Sequence, residues 1–149
     1  MKAINILIVD ERGNTSPQYC EQLCRSGYST PSSDGTYAHI TIATSGDNAV
    51  GLLKRSKLKK YAPFDLVICP FVIFLGSSTV ELLEAAQEDG IIVPVIVLID
   101  LNADQDYSDK KVLAVSGRNL YANNVCYMDV GHMCRLGAAI KHLLGQKVP

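Results

Sequence analysis

Four carboxylates stand at the ends of apolar runs, where they could act together. Asp10 and Glu11 close INILIVDE, Asp100 closes VPVIVLID and Asp129 closes NVCYMD. Carboxylates gathered at one edge have raised pKa values, bind a cation, or recruit an arginine, and Arg12 is adjacent for the last. The cation reading makes Asp10, Glu11 and Asp100 ligands of a weakly held divalent ion. Solvated carboxylates at loop starts are the plainer reading and the preferred one, so no cofactor is expected beyond such an ion.

The other reactive side chains form no site. Cys20, Cys24, Cys69, Cys126 and Cys134 are an odd set in a chain expected to carry no secretory leader, which argues against a disulfide framework. Cys20 and Cys24 share a face if they share a helix, but no Cys-x-x-Cys or Cys/His pair completes a metal site. Buried thiols are expected instead. His132 and His142 fall on nearly the same side of a last helix, with no nucleophile and matching acid to join them. There is no G-x-G-x-x-G after the first apolar run and no G-x-x-x-x-G-K-[ST] anywhere. No catalytic residue is assigned, and the chain is not expected to be an enzyme.

These residues are positioned by five short runs rich in Val, Ile or Tyr: 4–10, 39–44, 65–70, 93–100 and 124–129. The runs at 4–9, 65–69 and 93–99 are nearly continuous in apolar residues, as strands covered on both faces are. Helices are expected between them. Ser16-Pro17 opens the first, which stops near Gly27. The second follows Thr44-Ser45 as GDNAVGLLKRSKL. The third follows Ser77-Ser78-Thr79 as VELLEAAQED and stops at Gly90. A weaker fourth lies near SDKKVLAVSGR, and the fifth is HMCRLGAAIKHLLG. Strands alternating with helices imply a parallel α/β sheet with helices on both faces. Residues 28–38 read as a polar surface loop. The cations of KRSKLKK (54–60) suit a solvated helix C-terminus, with an acidic docking partner as the alternative.

Composition bounds the rest. The chain of 149 residues is 48% hydrophobic and 19% charged, a globular balance that suits one domain over residues 1–149. A net charge of −1 gives no field that would favour nucleic acid, so no direct contact with it is expected. No apolar run reaches the roughly 18–20 residues that cross a bilayer. The start MKAINILIVDERG lacks a signal peptide's longer apolar stretch, and a cytoplasmic setting is expected.

The succession ILIVDE, helix, DLVI, VPVIVL and a final short strand resembles the receiver domain of two-component response regulators. It covers essentially the whole chain. The resemblance implies a flavodoxin-like (βα)5 doubly wound sheet of strand order 2-1-3-4-5. It also implies a phosphorylation site, and here the chain departs from the family. The phosphoacceptor aspartate of a pattern like DLVILD falls on Pro70 in DLVICP, and a proline cannot form an acyl phosphate. The family's Ser/Thr at the end of the fourth strand falls on Ile99. Its lysine after the fifth strand falls on Met128, which cannot neutralise phosphoryl charge. Only the acidic pair Asp10-Glu11 is kept, and without the third carboxylate its Mg²⁺ binding should weaken.

The implied protein is a degenerate, or pseudo-, receiver: a phosphorylation-independent module that binds a protein partner in a signalling pathway. Receivers signal through the face of the fourth helix, fifth strand and fifth helix. Here that face supplies Lys110, Lys111, Tyr121, Tyr127, Met133 and Arg135, which could also make a homodimer. The alternative is a small-molecule or redox sensor. For that reading Pro70, Phe71, Ile73, Phe74, Ile99 and Met128 line a pocket, with Cys69 and Cys126 behind it.

Overall fold

The computed structural model describes residues 3–11, 21, 37–58, 64–70, 76, 79–87, 92–99, 125–129 and 136–145. Five strands fall within them: β1 (Ala3–Val9), β2 (Tyr37–Ala43), β3 (Leu66–Pro70), β4 (Val95–Ile99) and β5 (Val125–Asp129). They form one parallel sheet in the order β2-β1-β3-β4-β5. The three continuous apolar runs are the three interior strands, where both faces must be covered. The described helices are α1 (Gly46–Lys57), α2 (Thr79–Gln87) and α3 (Leu136–Gly145).

The pleat sorts the interior strands into two cores. Leu7, Val9, Val67, Cys69, Val95 and Val97 pack with Ala49 and Leu53 of α1 and with Leu82, Leu83, Ala85 and Ala86 of α2. Ile6, Ile8, Leu66, Ile68, Ile96 and Leu98 pack on the opposite face with Leu136, Ile140 and Leu143 of α3. Alternate residues of one strand thus serve opposite cores. Each fully buried Leu or Ile contributes about 1.5–3 kcal/mol. Alanines at the α1 and α2 contacts let those helices lie close to a valine-lined face.

Local chemistry fixes the helix ends. Ser45 caps α1: its Oγ accepts from the Asn48 N–H at 3.0 Å, and Asn48 Oδ1 accepts from the Thr44 N–H at 3.2 Å. That reciprocal pair satisfies two backbone donors at the helix start. Asp47 lies in the first turn and Lys54, Arg55 and Lys57 in the last, matching the helix dipole at both ends. Lys57 is half-buried, and its ammonium donates to the Ala85 carbonyl of α2. The cationic end of α1 is therefore tied to its neighbour through one of its charges.

Several boundaries differ from those read in the sequence. β2 begins at Tyr37, because Tyr37 and Ala38 pair with Ala3 and Ile4; the polar loop 28–38 thus loses its last two residues to the sheet. β1 and β2 stop at Val9 and Ala43, and Thr44 belongs to the cap of α1. Asp65 borders β3: its N–H donates to the Asn5 carbonyl and its Oδ2 accepts from the Asn5 N–H, each at 2.8 Å. Val93 and Pro94 precede β4, and the Val93 N–H is taken by the Ala86 carbonyl of α2. α2 starts at Thr79, one residue early. Glu21 is helical, as expected of the first helix; the rest of that helix, the expected fourth helix and the start of the fifth lie outside the described residues.

Candidate functional site

Strand register builds the site from the backbone upward. Ile8 pairs with Ile68, Pro70 with Leu98, and Leu98 with Met128. Two residues beyond Ile8 and Ile68, the same register sets Asp10 beside Pro70. One row therefore crosses the carboxyl edge of the sheet as Asp10, Pro70, Leu98 and Met128. Such an edge is where open parallel α/β sheets place their sites.

Asp10 is held at that edge by its backbone. Its N–H donates to the Ala43 carbonyl of β2 at 2.9 Å, and the residue is only 4% exposed. Glu11 beside it is half-buried. Pro70 ends β3 and is half-buried. The pairing of β3 with β1 ends at Ile68, two residues before the proline, which has no N–H to extend it. The Pro70 carbonyl accepts from the buried Thr79 hydroxyl at 3.0 Å, which ties the end of β3 to the start of α2. The sequence had offered Thr79 only as part of a helix start. Its hydroxyl-bearing side chain was the available signal, but its long-range partner was not legible.

Sheet order also decides which carboxylates can meet. β1 and β5 are three strand spacings apart, about 14 Å at about 4.8 Å each. Asp129, the last residue of β5, therefore shares an edge with Asp10 without sharing a single-ion site. Asp100 lies outside the described residues. Among the described residues no three His, Cys, Asp or Glu side chains are close enough to hold a metal ion. Beside Asp10 the row offers no second carboxylate, because its β3 member is Pro70.

Met128 is drawn inward. It is 7% exposed and packs in the α3-facing core with Leu98, Leu136 and Ile140. Its neighbour Leu98 is equally part of that core. Ile99 ends β4, paired in register with Asp129. Phe71, Ile73 and Phe74 lie outside the described residues. So do Lys110, Lys111, Tyr121, Met133 and Arg135 of the expected interaction face; Tyr127 is placed on β5, opposite Val97.

The described thiols are of two kinds. Cys69 is fully buried in the core facing α1 and α2, and burial pushes its thiol up to about 12. Cys126 is half-buried on β5, and burial raises it as well. A thiol held protonated and away from solvent is a poor nucleophile. Cys20, Cys24 and Cys134 lie outside the described residues, as does His132; His142 is exposed on α3.

One further contact at this edge was missed. Gly76, between β3 and α2, has a φ of +80°, and a Cβ built on it would lie 2.6 Å from the Asp47 carboxylate and 2.9 Å from the Asp47 nitrogen. The chain after Pro70 thus passes close over the first turn of α1, and only glycine permits the approach.

Comparison with known proteins places this geometry. The chain is similar to a response regulator receiver protein from Sinorhizobium medicae at 16% identity, with a TM-score of 0.65 over 96% of this chain and 95% of that one. It is similar to the receiver domain of the response regulator AraT from Geobacillus stearothermophilus at 15% identity, with a TM-score of 0.61 over 98% of each chain. It also matches the response regulator RcsB of Salmonella typhimurium at 14% identity and a TM-score of 0.59, covering 98% of this chain and 62% of that longer one. No family model and no curated protein sequence matches it. The likeness is one of fold: this is the five-stranded flavodoxin-like sheet of response-regulator receivers, in the order 2-1-3-4-5.

Proposed function

We propose that the chain, as one receiver-like domain over residues 1–149, is a phosphorylation-independent pseudo-receiver that works by binding a protein partner in a two-component-type pathway. The observation that carries this reading is Pro70. It ends β3 in register with Asp10, where the family resemblance puts the phosphoacceptor, and it offers no carboxylate. Ile99 and Met128 support it. The first cannot donate a hydrogen bond to a phosphoryl oxygen, and the second is an apolar core residue where the resemblance calls for a lysine. Electrostatic stabilisation of a transferring phosphoryl group has no cationic side chain to rest on at those positions.

Partner binding would use the face that holds Lys110, Lys111, Tyr121, Tyr127, Met133 and Arg135, through which a homodimer could also form. Control would then come from partner abundance or competition. A cytoplasmic setting suits such a module, and among the described residues no helix is long and apolar enough to cross a membrane. The redox form of the alternative reading is weakened by the burial of Cys69.

The test is beryllofluoride with Mg²⁺, followed by amide chemical shifts. Unchanged signals around Asp10, Pro70 and Ile99 are expected. A saturable change confined to that edge would mean that the site still recognises a phosphoryl group, and the inference from Pro70 would fail.

A further inference from the structure

The opposite end of the sheet carries a surface that the receiver-like reading leaves unused. Three large hydrophobic residues are exposed among the described residues, Ile42, Leu58 and Ile92, and two of them lie at this end. Leu58 follows the last turn of α1 and is 67% exposed; Ile92 precedes β4 and is 46% exposed. Two bonds tie the residues next to them to the same end of α2. The Lys57 ammonium reaches the Ala85 carbonyl, and the Val93 N–H reaches the Ala86 carbonyl. The residues next to Leu58 and Ile92 thus grip consecutive carbonyls at the end of α2.

Cations share this end. Lys54 and Arg55 are exposed and lie four and three residues before Leu58, the spacings at which helical neighbours meet. The Leu58 N–H donates to the Arg55 carbonyl at 3.2 Å, which continues that helical path to Leu58. In a chain of net charge −1 this is a local concentration of positive charge. Single exposed aliphatic residues are ordinary; two at one end of the sheet, one of them beside exposed cations, make the pattern of a small apolar centre with a charged rim.

We propose that Leu58 and Ile92, rimmed by Lys54 and Arg55, dock an acidic segment of a partner protein that carries an aliphatic anchor. Charge complementarity selects the acidic partner, and the two exposed aliphatic side chains select the anchor. A bilayer surface fits less well. Interfacial binding needs a long apolar helix face, and two exposed aliphatic side chains do not make one. The surface lies across the molecule from Asp10 and Pro70, so it does not depend on the state of that edge.

The test uses the full chain and a labelled acidic peptide of glutamates and aspartates with two leucines four apart. Amide shifts are expected at residues 54–58 and 92–93. Affinity should fall at least tenfold in Leu58→Ser and in Lys54→Glu/Arg55→Glu, and for a peptide with serine in place of both leucines. Circular dichroism of the variants checks that they fold, and substitutions at exposed positions should leave the spectrum unchanged. Shifts elsewhere, unaltered affinity in Leu58→Ser, or binding to phosphatidylserine vesicles without binding to the peptide would overturn the proposal.

Discussion

Two glycines in this chain should respond to the same substitution with opposite signs. Gly76 has φ +80°, a region that costs a residue with a Cβ about 1–2 kcal/mol. Its added methyl would also sit 2.6 Å from Asp47 Cγ and Oδ2, and 2.9 Å from Asp47 N. The carboxylate is the end of an exposed side chain and would have to leave its place. The nitrogen belongs to the first turn of α1 and can move only with that turn, which the bonds among Thr44, Ser45 and Asn48 hold in place. Backbone strain and displacement together should make Gly76→Ala destabilising by at least about 2 kcal/mol.

Gly51 sits inside α1, and the nearest atom to its added Cβ is an Arg55 guanidinium nitrogen at 3.9 Å, an ordinary contact. There the alanine lowers the entropy lost on folding, and Gly51→Ala should stabilise by about 0.5–1 kcal/mol. Urea unfolding measures both, through the midpoint at constant m-value. Adding Asp47→Ala to Gly76→Ala should recover only the side-chain part of the clash and leave the backbone strain, about 1–2 kcal/mol, together with the displacement of the residue 47 nitrogen, a coupling that a double-mutant cycle reads. A Gly76→Ala protein within about 0.5 kcal/mol of wild type, the range of an ordinary surface change, would refute the close approach of this segment to α1.

Other expectations are more local. Ser45→Ala should cost about 1 kcal/mol by thermal unfolding, and Asn48→Ala should add less than its own separate cost, because the two caps share one turn. Thr79→Val leaves the Pro70 carbonyl without its hydroxyl donor and should cost about 1 kcal/mol, with amide shifts at the end of β3 as a second readout. Cys69 should resist thiol reagents in the native protein at pH 8 and react fully in urea; fast native labelling would contradict its burial. The same group makes stability depend on pH. From the unfolded value of 9.0 to the folded value of about 12, the unfolded thiol loses its proton while the buried one keeps it. Stability should therefore fall as pH rises through that window, by up to about 1.4 kcal/mol per unit from this group, and the slope should be smaller in Cys69→Ala, where the raised Cys126 remains.

Much of the architecture is legible in the chain because it rests on local patterns. The continuous runs at 4–9, 65–69 and 93–99 announce strands covered on both faces, and those strands are the interior of the sheet. Ser45 marks a helix start because its side chain needs only a neighbour three residues on. Pro70 is legible from its own structure, since no fold can give a proline a carboxylate. What depends on distance in space was not legible. The carboxylates at strand ends look equivalent in sequence, yet strand order sets Asp10 and Asp129 about 14 Å apart, three strand spacings. Met128 is legible as a residue at the end of the last strand, but not that it packs in the core with Leu136 and Ile140. The contacts of Gly76 with Asp47, Thr79 with Pro70 and Lys57 with Ala85 join residues from separate elements, and only the packing of α1 and α2 on a shared face brings them together.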